Sequence, residues 1–195
     1  MGGPGGRSAP QLVLASRSPQ RRAILEQLGV PFSVRVPDVV EEDAGSPRAV
    51  AGENALRKVV AAGGRPGEVV LGVDTLVATE LEIWGKPPNE EAARETLRRL
   101  AGRTHEVVSG VAVLRPGGEV QAATAVTRVT FRALDDAAIE WYLATGEWRE
   151  RAGGYAIQGR GAALVARIDG DYLNVVGLPV ATLIDLYPEL LPPAP

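Results

Sequence analysis

Apolar and polar positions follow two rhythms along this chain, and the longest apolar run falls in its middle. Val69-Val-Leu-Gly-Val-Asp-Thr-Leu-Val-Ala78 is rich in β-branched residues and predicts a strand buried on both faces. Shorter runs predict strands over Gln11–Ala15, over Phe32–Val36 (closed by Pro37) and over Leu164–Ile168. Val107–Leu114 and Val120–Phe131 predict long strands joined by Arg115-Pro-Gly-Gly-Glu119, a hairpin signal. Between these runs the period lengthens to that of a helix. Ser18 is placed to cap a first helix with Pro19 at its first position, Ile24, Leu25 and Leu28 as its apolar stripe, and Gly29 as its stop. Ser46 and Pro47 open a second helix, which ends at Gly63-Gly64, and Asn89 caps a third that closes near Gly102. Asp135 and Asp136 open a fourth with Ile139, Tyr142 and Leu143 inward, and a last helix runs from Pro179 through Tyr187. Strand–helix alternation mixed with a hairpin gives an α/β (α+β) class: a mixed sheet flanked by helices, without internal repeats. The expected organisation is a single domain over 11–188, between a Gly/Pro/Ser-rich disordered tail at 1–10 and a C-terminal tail at 189–195.

Composition narrows the function more by exclusion than by indication. A net charge of -3 argues against nucleic-acid binding, which wants a basic face. There is no cysteine, so disulfides, thiolate metal sites and a cysteine nucleophile are excluded. His105 is the only histidine, which excludes His-based zinc sites and fits a structural role. No apolar run approaches the roughly 18 residues of a membrane span, and Met1–Ser8 lacks the apolar region of a signal peptide. A cytoplasmic protein without membrane partners is expected. Neither a phosphate loop of the Gly-x-x-x-x-Gly-Lys-Ser/Thr type nor a complete dinucleotide fingerprint occurs. The basic residues are almost all arginine. The two lysines, Lys58 and Lys86, therefore stand out, because lysine is a compact point charge suited to phosphate.

The candidate chemistry centres on Asp74, inside the central apolar run. A carboxylate in low dielectric costs several kcal/mol unless cations or donors accompany it. Either Asp74 marks a strand end and bonds nearby amides, or it is a metal-binding or proton-accepting carboxylate held by a core strand. Arg17, Arg21 and Arg22 crowd the positive end of the first helix, a conflict that a bound anion would relieve. The acidic run Asp38–Asp43 is either a solvated loop or a source of a glutamate, Glu41 or Glu42, that shares a divalent cation with Asp74. Asn54 and Lys58 lie four apart on one helix face, beside small residues that leave the lysine room to enter a cleft or to reach water.

Several segments together resemble one family: Leu14-Ala-Ser-Arg-Ser-Pro-Gln-Arg-Arg22, Gly72-Val-Asp-Thr75, Trp84-Gly-Lys-Pro87, Gly102-Arg-Thr-His-Glu106, Ala152–Gly159 and Asp171–Pro179. In this order they resemble the Maf family of nucleoside triphosphate pyrophosphatases, also called septum-formation inhibitors. Tyr-x-Ile-Gln-Gly, together with a threonine after the aspartate, resembles the branch acting on dTTP and UTP. The resemblance implies an inosine-triphosphatase-like fold, with an elongated mixed sheet, two lobes and a central cleft. It implies cleavage between the α- and β-phosphates with Mg²⁺ or Mn²⁺ as cofactor, in a family that commonly forms homodimers. Carried over residue by residue, it makes Asp74 the proton acceptor and, with Glu41, the holder of the metal. Ser16, Arg21, Lys58 and Lys86 become phosphate contacts, with both lysines counted as catalytic. Thr75 and Gln158 become selectors of the base. Gln20 stands where the family commonly has arginine, so one substrate contact departs from the pattern. Two alternatives accompany this expectation: a nucleotide-binding regulator of division without turnover, and the branch acting on methylated GTP.

Overall fold

Helix starts are fixed by the capping side chains that the sequence supplies. In a computed structural model, which describes residues 10–79 and 82–191, Ser18 accepts a hydrogen bond from the Arg21 amide at the head of α1 (Pro19–Gln27). Ser46 does the same for α2 (Pro47–Ala62), Asn89 for α3 (Glu90–Leu100) and Asp135 for α4 (Asp136–Leu143). The expected last helix is α6 (Val180–Leu186), and a short helix that was not expected, α5 (Tyr172–Val176), precedes it. Gly177, at φ 126°, separates them, a backbone angle that side-chain-bearing residues rarely adopt. Of the expected tails, 1–9 and 192–195 lie outside the described residues, while Leu190 sits in a short turn and packs into the core.

Seven strands form one mixed sheet in the order β2-β1-β3-β5-β6-β7, with β4 added to the end of β3. β1 (Gln11–Leu14) pairs in parallel with both β2 (Phe32–Val34) and β3 (Glu68–Ala78). The remaining pairings are antiparallel: β3 with β4 (Ile83–Trp84) and with β5 (Thr104–Leu114), β5 with β6 (Val120–Phe131), and β6 with β7 (Val165–Asp169). The expected strand over Phe32–Val36 ends two residues early. β5 begins three residues before Val107, because Thr104 and His105 find partners in Thr130 and Val129.

β3 is covered on both faces, as its composition predicts, and alternation divides its side chains between them. Val69, Leu71 and Val73 join a core with Ile24, Leu25, Leu178 and Leu183, and Val77 joins a second core with Leu97, Phe131, Tyr142 and Trp148. Val70, Leu76 and Ala78 face the other way, toward Ala55, Val59, Val50 and Ala51 of α2. That helix lies very close to the sheet. A Cβ added at Gly72 would strike the Ala55 carbonyl, and one at Gly110 the Ala51 carbonyl.

One edge of β3 is only partly covered. β1 pairs with it as far as Leu71, and β4 pairs with it only at Val77 and Ala78. Between these two partners, residues 72–76 have no strand on that side, and Asp74 is in the middle of the gap.

Candidate active site

A cleft of about 770 Å³ opens at this gap, beyond the carboxyl end of β1, the usual place for ligands in sheets with parallel strands. All nine residues that the resemblance assigned to the site line it. They arrive from six places: the β1–α1 turn and the first turn of α1 (Ser16, Gln20, Arg21), the acidic segment (Glu41), α2 (Lys58), β3 itself (Asp74, Thr75), and two loops of the second core (Lys86 and Gln158).

Asp74 is 8% exposed and lies within the strand rather than at its end. Its carboxylate is bonded by side chains, not by nearby amides. Lys58 Nζ lies 2.7 Å from Oδ1, and Asn54 Nδ2 donates to Oδ2 at 3.1 Å. The strand-end alternative therefore does not hold. Lys58 also donates to the Val73 carbonyl on the open strand edge at 3.3 Å and pairs with Glu41 at 2.6 Å. Asn54 also reaches the acidic segment, where its amide exchanges two hydrogen bonds with the Glu42 backbone, at 2.7 and 2.9 Å. This brackets that segment onto α2 and sets Glu41 beside Lys58, so the charge run is anchored at Glu42. Asn54 is the residue whose importance the sequence pattern understated. Its spacing to Lys58 was visible, but its two partners were not.

On the opposite face of β3, Thr75 meets a second network. Arg21 is 8% exposed, and its guanidinium donates to the Gly177 carbonyl at 2.9 Å, to Ser16 Oγ at 2.9 Å and to Thr75 Oγ1 at 3.1 Å. Burial lowers the Arg21 pKa, opposed by the negative charges of Asp74 and Glu41. Thr75 is braced by Ser109 at 2.8 Å across the β3–β5 ladder. Arg17 also lines the cleft as an exposed side chain, whereas Arg22 is outside it. Gln20 is half-buried and accepts from Ser18 Oγ at 3.0 Å.

The second core supplies looser groups. Lys86 pairs with Glu150 at 3.0 Å, both well exposed, and Gln158 is exposed on the glycine-rich segment. Arg151, which the sequence pattern did not single out, lines the cleft here as well. A basic residue immediately ahead of a glycine-rich segment was the available signal.

Chemically, the cleft offers a polyanion four cations besides Arg151 (Arg17, Arg21, Lys58 and Lys86) and offers a divalent cation two carboxylates. Glu41 and Asp74 converge on one position, the Lys58 ammonium. Among the described residues no group of three or more acidic or histidine side chains could hold a metal. Mg²⁺ keeps most of its waters and takes one or two carboxylates plus substrate phosphates, so this pair fits such an ion better than it would fit a fully protein-ligated one. No helix among the described residues is long and apolar enough to cross a membrane.

A family model described as Maf-like protein matches residues 11–190. A dTTP/UTP pyrophosphatase of Symbiobacterium thermophilum is 48% identical over 90% of this chain and 92% of its own length. Those of Thermus thermophilus and Pyrococcus furiosus are 44% and 42% identical, over 93% and 90% of this chain and 95% and 93% of their own lengths. Among solved structures, a Ham1 protein of Staphylococcus aureus aligns with a TM-score of 0.44 at 20% identity, over 62% of this chain and 71% of that one. A nucleoside-triphosphatase / dITP/XTP pyrophosphatase of Mycobacterium abscessus gives 0.42 at 19% identity, over 64% and 75%.

Proposed function

The chain belongs to the Maf-like proteins, and from that premise we propose that it hydrolyses dTTP and UTP to the nucleoside monophosphate and pyrophosphate. The observation that carries this reading is the pairing of a buried strand carboxylate, Asp74, with a lysine at 2.7 Å inside a cleft rich in arginine. Water attacks the α-phosphorus, the bond from that phosphorus to the bridging oxygen of the β-phosphate breaks, and the water's proton passes to Asp74. Pyrophosphate leaves carrying additional negative charge, which is where fixed cations accelerate the step. Lys58 and Lys86 act there, while Ser16 and Arg21 position the phosphates. Glu41 and Asp74 would hold a divalent cation, Mg²⁺ or Mn²⁺, which would supply further charge neutralisation and make water more acidic. Because β3 is rigid, Asp74 is held at a fixed place, and small misplacements of a catalytic group are costly in rate. Thr75 and Gln158 select the base, with Gln20 in place of a further cation.

Product analysis tests this directly. Purified protein is incubated with UTP or dTTP, with Mg²⁺ or Mn²⁺ or with excess chelator, and the products are separated. The expected result is monophosphate plus pyrophosphate, only with the metal. Diphosphate plus free phosphate, or full activity in chelator, overturns the reading. Tight nucleotide binding without turnover would favour the regulator.

A further inference from the structure

The cations of the cleft that are removed from solvent all have partners except one. Arg21 makes three hydrogen bonds, and Lys58 is held by two carboxylates and a carbonyl. Even the exposed Lys86 is paired with Glu150. Arg151 is half-buried, yet among the described residues its guanidinium makes no hydrogen bond and has no salt bridge, and its Nε is fully buried without a partner. The adjacent carboxylate is committed elsewhere: Glu150 adopts φ 58° and its side chain engages Lys86. Non-glycine residues rarely hold that angle.

The backbone around Arg151 is not loose. The Gly153 amide donates to the Gly85 carbonyl at 3.0 Å, which ties this segment to the one carrying Lys86. Gly153 also packs against Val77 so tightly that a Cβ would collide with that side chain. The chain thus fixes the stem of Arg151 beside Lys86 and leaves its charged end uncommitted. A guanidinium carries five donors and no acceptor, and a buried donor without a partner is costly. An acceptor-rich anion is the ligand that satisfies it, and phosphate matches its planar fork.

We propose that Arg151 is a further substrate-contacting residue, one that takes phosphate oxygens of the nucleoside triphosphate from the Lys86 side of the cleft. This rests on the pyrophosphatase reading for the substrate, but not on turnover. It assigns Arg151 to the polyphosphate and not to the base, because a fixed positive charge gains most from the most highly charged part of the ligand.

The test is equilibrium binding by calorimetry in chelator, where hydrolysis is blocked, using UTP, pyrophosphate and uridine with the wild type, Arg151→Met and Arg151→Lys. The expected result is a loss of about tenfold or more for UTP and pyrophosphate in Arg151→Met, with uridine unchanged and partial recovery in Arg151→Lys. Unchanged affinities in a folded Arg151→Met overturn the proposal, as does an equal loss for uridine, which would place the residue on the base. If Arg151→Met does not fold, Arg151→Lys decides, since it keeps the charge but loses the fork: weaker pyrophosphate binding at wild-type Tm supports the proposal, and unchanged binding overturns it. A wild type that binds UTP in chelator but never hydrolyses it with metal would sink the activity while leaving this measurement valid.

Discussion

On the side of the cleft built by β1, α1, α2 and β3, Asp74, Lys58 and Arg21 are each less than one-tenth exposed, and each has at least two polar partners. On the side built by the β4–α3 loop and the glycine-rich segment, the side chains of Lys86 and Glu150 are 62% and 82% exposed and share a single ion pair. Gln158 there is exposed, and Arg151 has no partner among the described residues. The first wall is organised before any ligand arrives, and its polar groups hold the fold together as well as the site. The second wall has a fixed backbone but side chains that only a ligand would order. Preorganised groups suit the reacting atoms, where geometry sets the rate, while adaptable ones suit capture.

Changing the carboxylate proposed to accept the proton should have the largest effect. Asp74→Asn keeps the size but cannot accept a proton, so kcat should fall by about a thousandfold or more. Lys58 retains Glu41 and the Val73 carbonyl, so circular dichroism and Tm should remain close to wild type. A kcat near normal would return Asp74 to a purely structural role.

The contrast between the walls is sharpest in a pair of cation removals. Arg21→Met leaves Gly177 O with only the longer bond from Thr75 Oγ1, at 3.4 Å, and removes the bond to Thr75, and should raise KM about tenfold while lowering Tm by about 5 °C. Lys86→Met should lower kcat by about tenfold, more than it raises KM, and leave Tm unchanged, because an exposed ion pair contributes little to stability. Equal destabilisation by the two substitutions would break the comparison.

A smaller effect is expected at the base. Gln158 offers both a donor and an acceptor to a uracil or thymine edge, so Gln158→Ala should lower kcat/KM for UTP and dTTP about tenfold and for GTP less. Uniform losses across UTP, dTTP, CTP and GTP would mean that Gln158 only braces its loop. Gln20→Arg, measured on the same nucleotides, should sharpen the pyrimidine preference.

The smallest effect concerns what fixes the second wall's backbone. His105 Nε2 and the Tyr155 hydroxyl are 2.9 Å apart, and both rings pack edge-on against Phe131. Burial depresses the His105 imidazole from 6.5 to about 4 and pushes the Tyr155 phenol up. A histidine depressed in the folded state is protonated first in the unfolded chain. Its contribution to stability is therefore complete above pH 6.5 and is lost as pH falls toward about 4, by at most ~3 kcal/mol. His105→Gln should lower Tm at pH 7 and flatten its decline between pH 7 and 4.5, as followed by calorimetry. An identical pH slope in the two proteins would remove His105 from this account.

Elements announced by local chemistry were legible in the sequence. Ser18, Ser46, Asn89 and Asp135 each cap the helix expected of them, because a cap depends only on residues within one turn. The β3 run was legible as a doubly buried strand for the same reason. β4 was not, since two residues carry no periodicity, and α5 was hidden because five residues make barely one turn. The family resemblance supplied the residues that line the cleft. Their partnerships were not available from pattern: Lys58 meets Asp74 across 16 positions, and Lys86 meets Glu150 across 64. Arg151 escaped notice because a surface arginine and an uncommitted cleft arginine look alike until burial is known.

The near contact between α2 and the sheet gives two uncharged residues a hold over the chemistry. Gly72 and Gly110 touch no ligand in the proposed mechanism, yet they set how deeply α2 sits, and hence how far Lys58 and Asn54 stand from Asp74. One methyl group at position 110 would meet the Ala51 backbone, which cannot rotate aside as a side chain can. The helix would have to lift, and every charged group of the cleft would remain present but out of reach of its partner. Inactivity in a natural variant of this chain could thus arise from a silent-looking glycine change, with the whole set of charged residues intact.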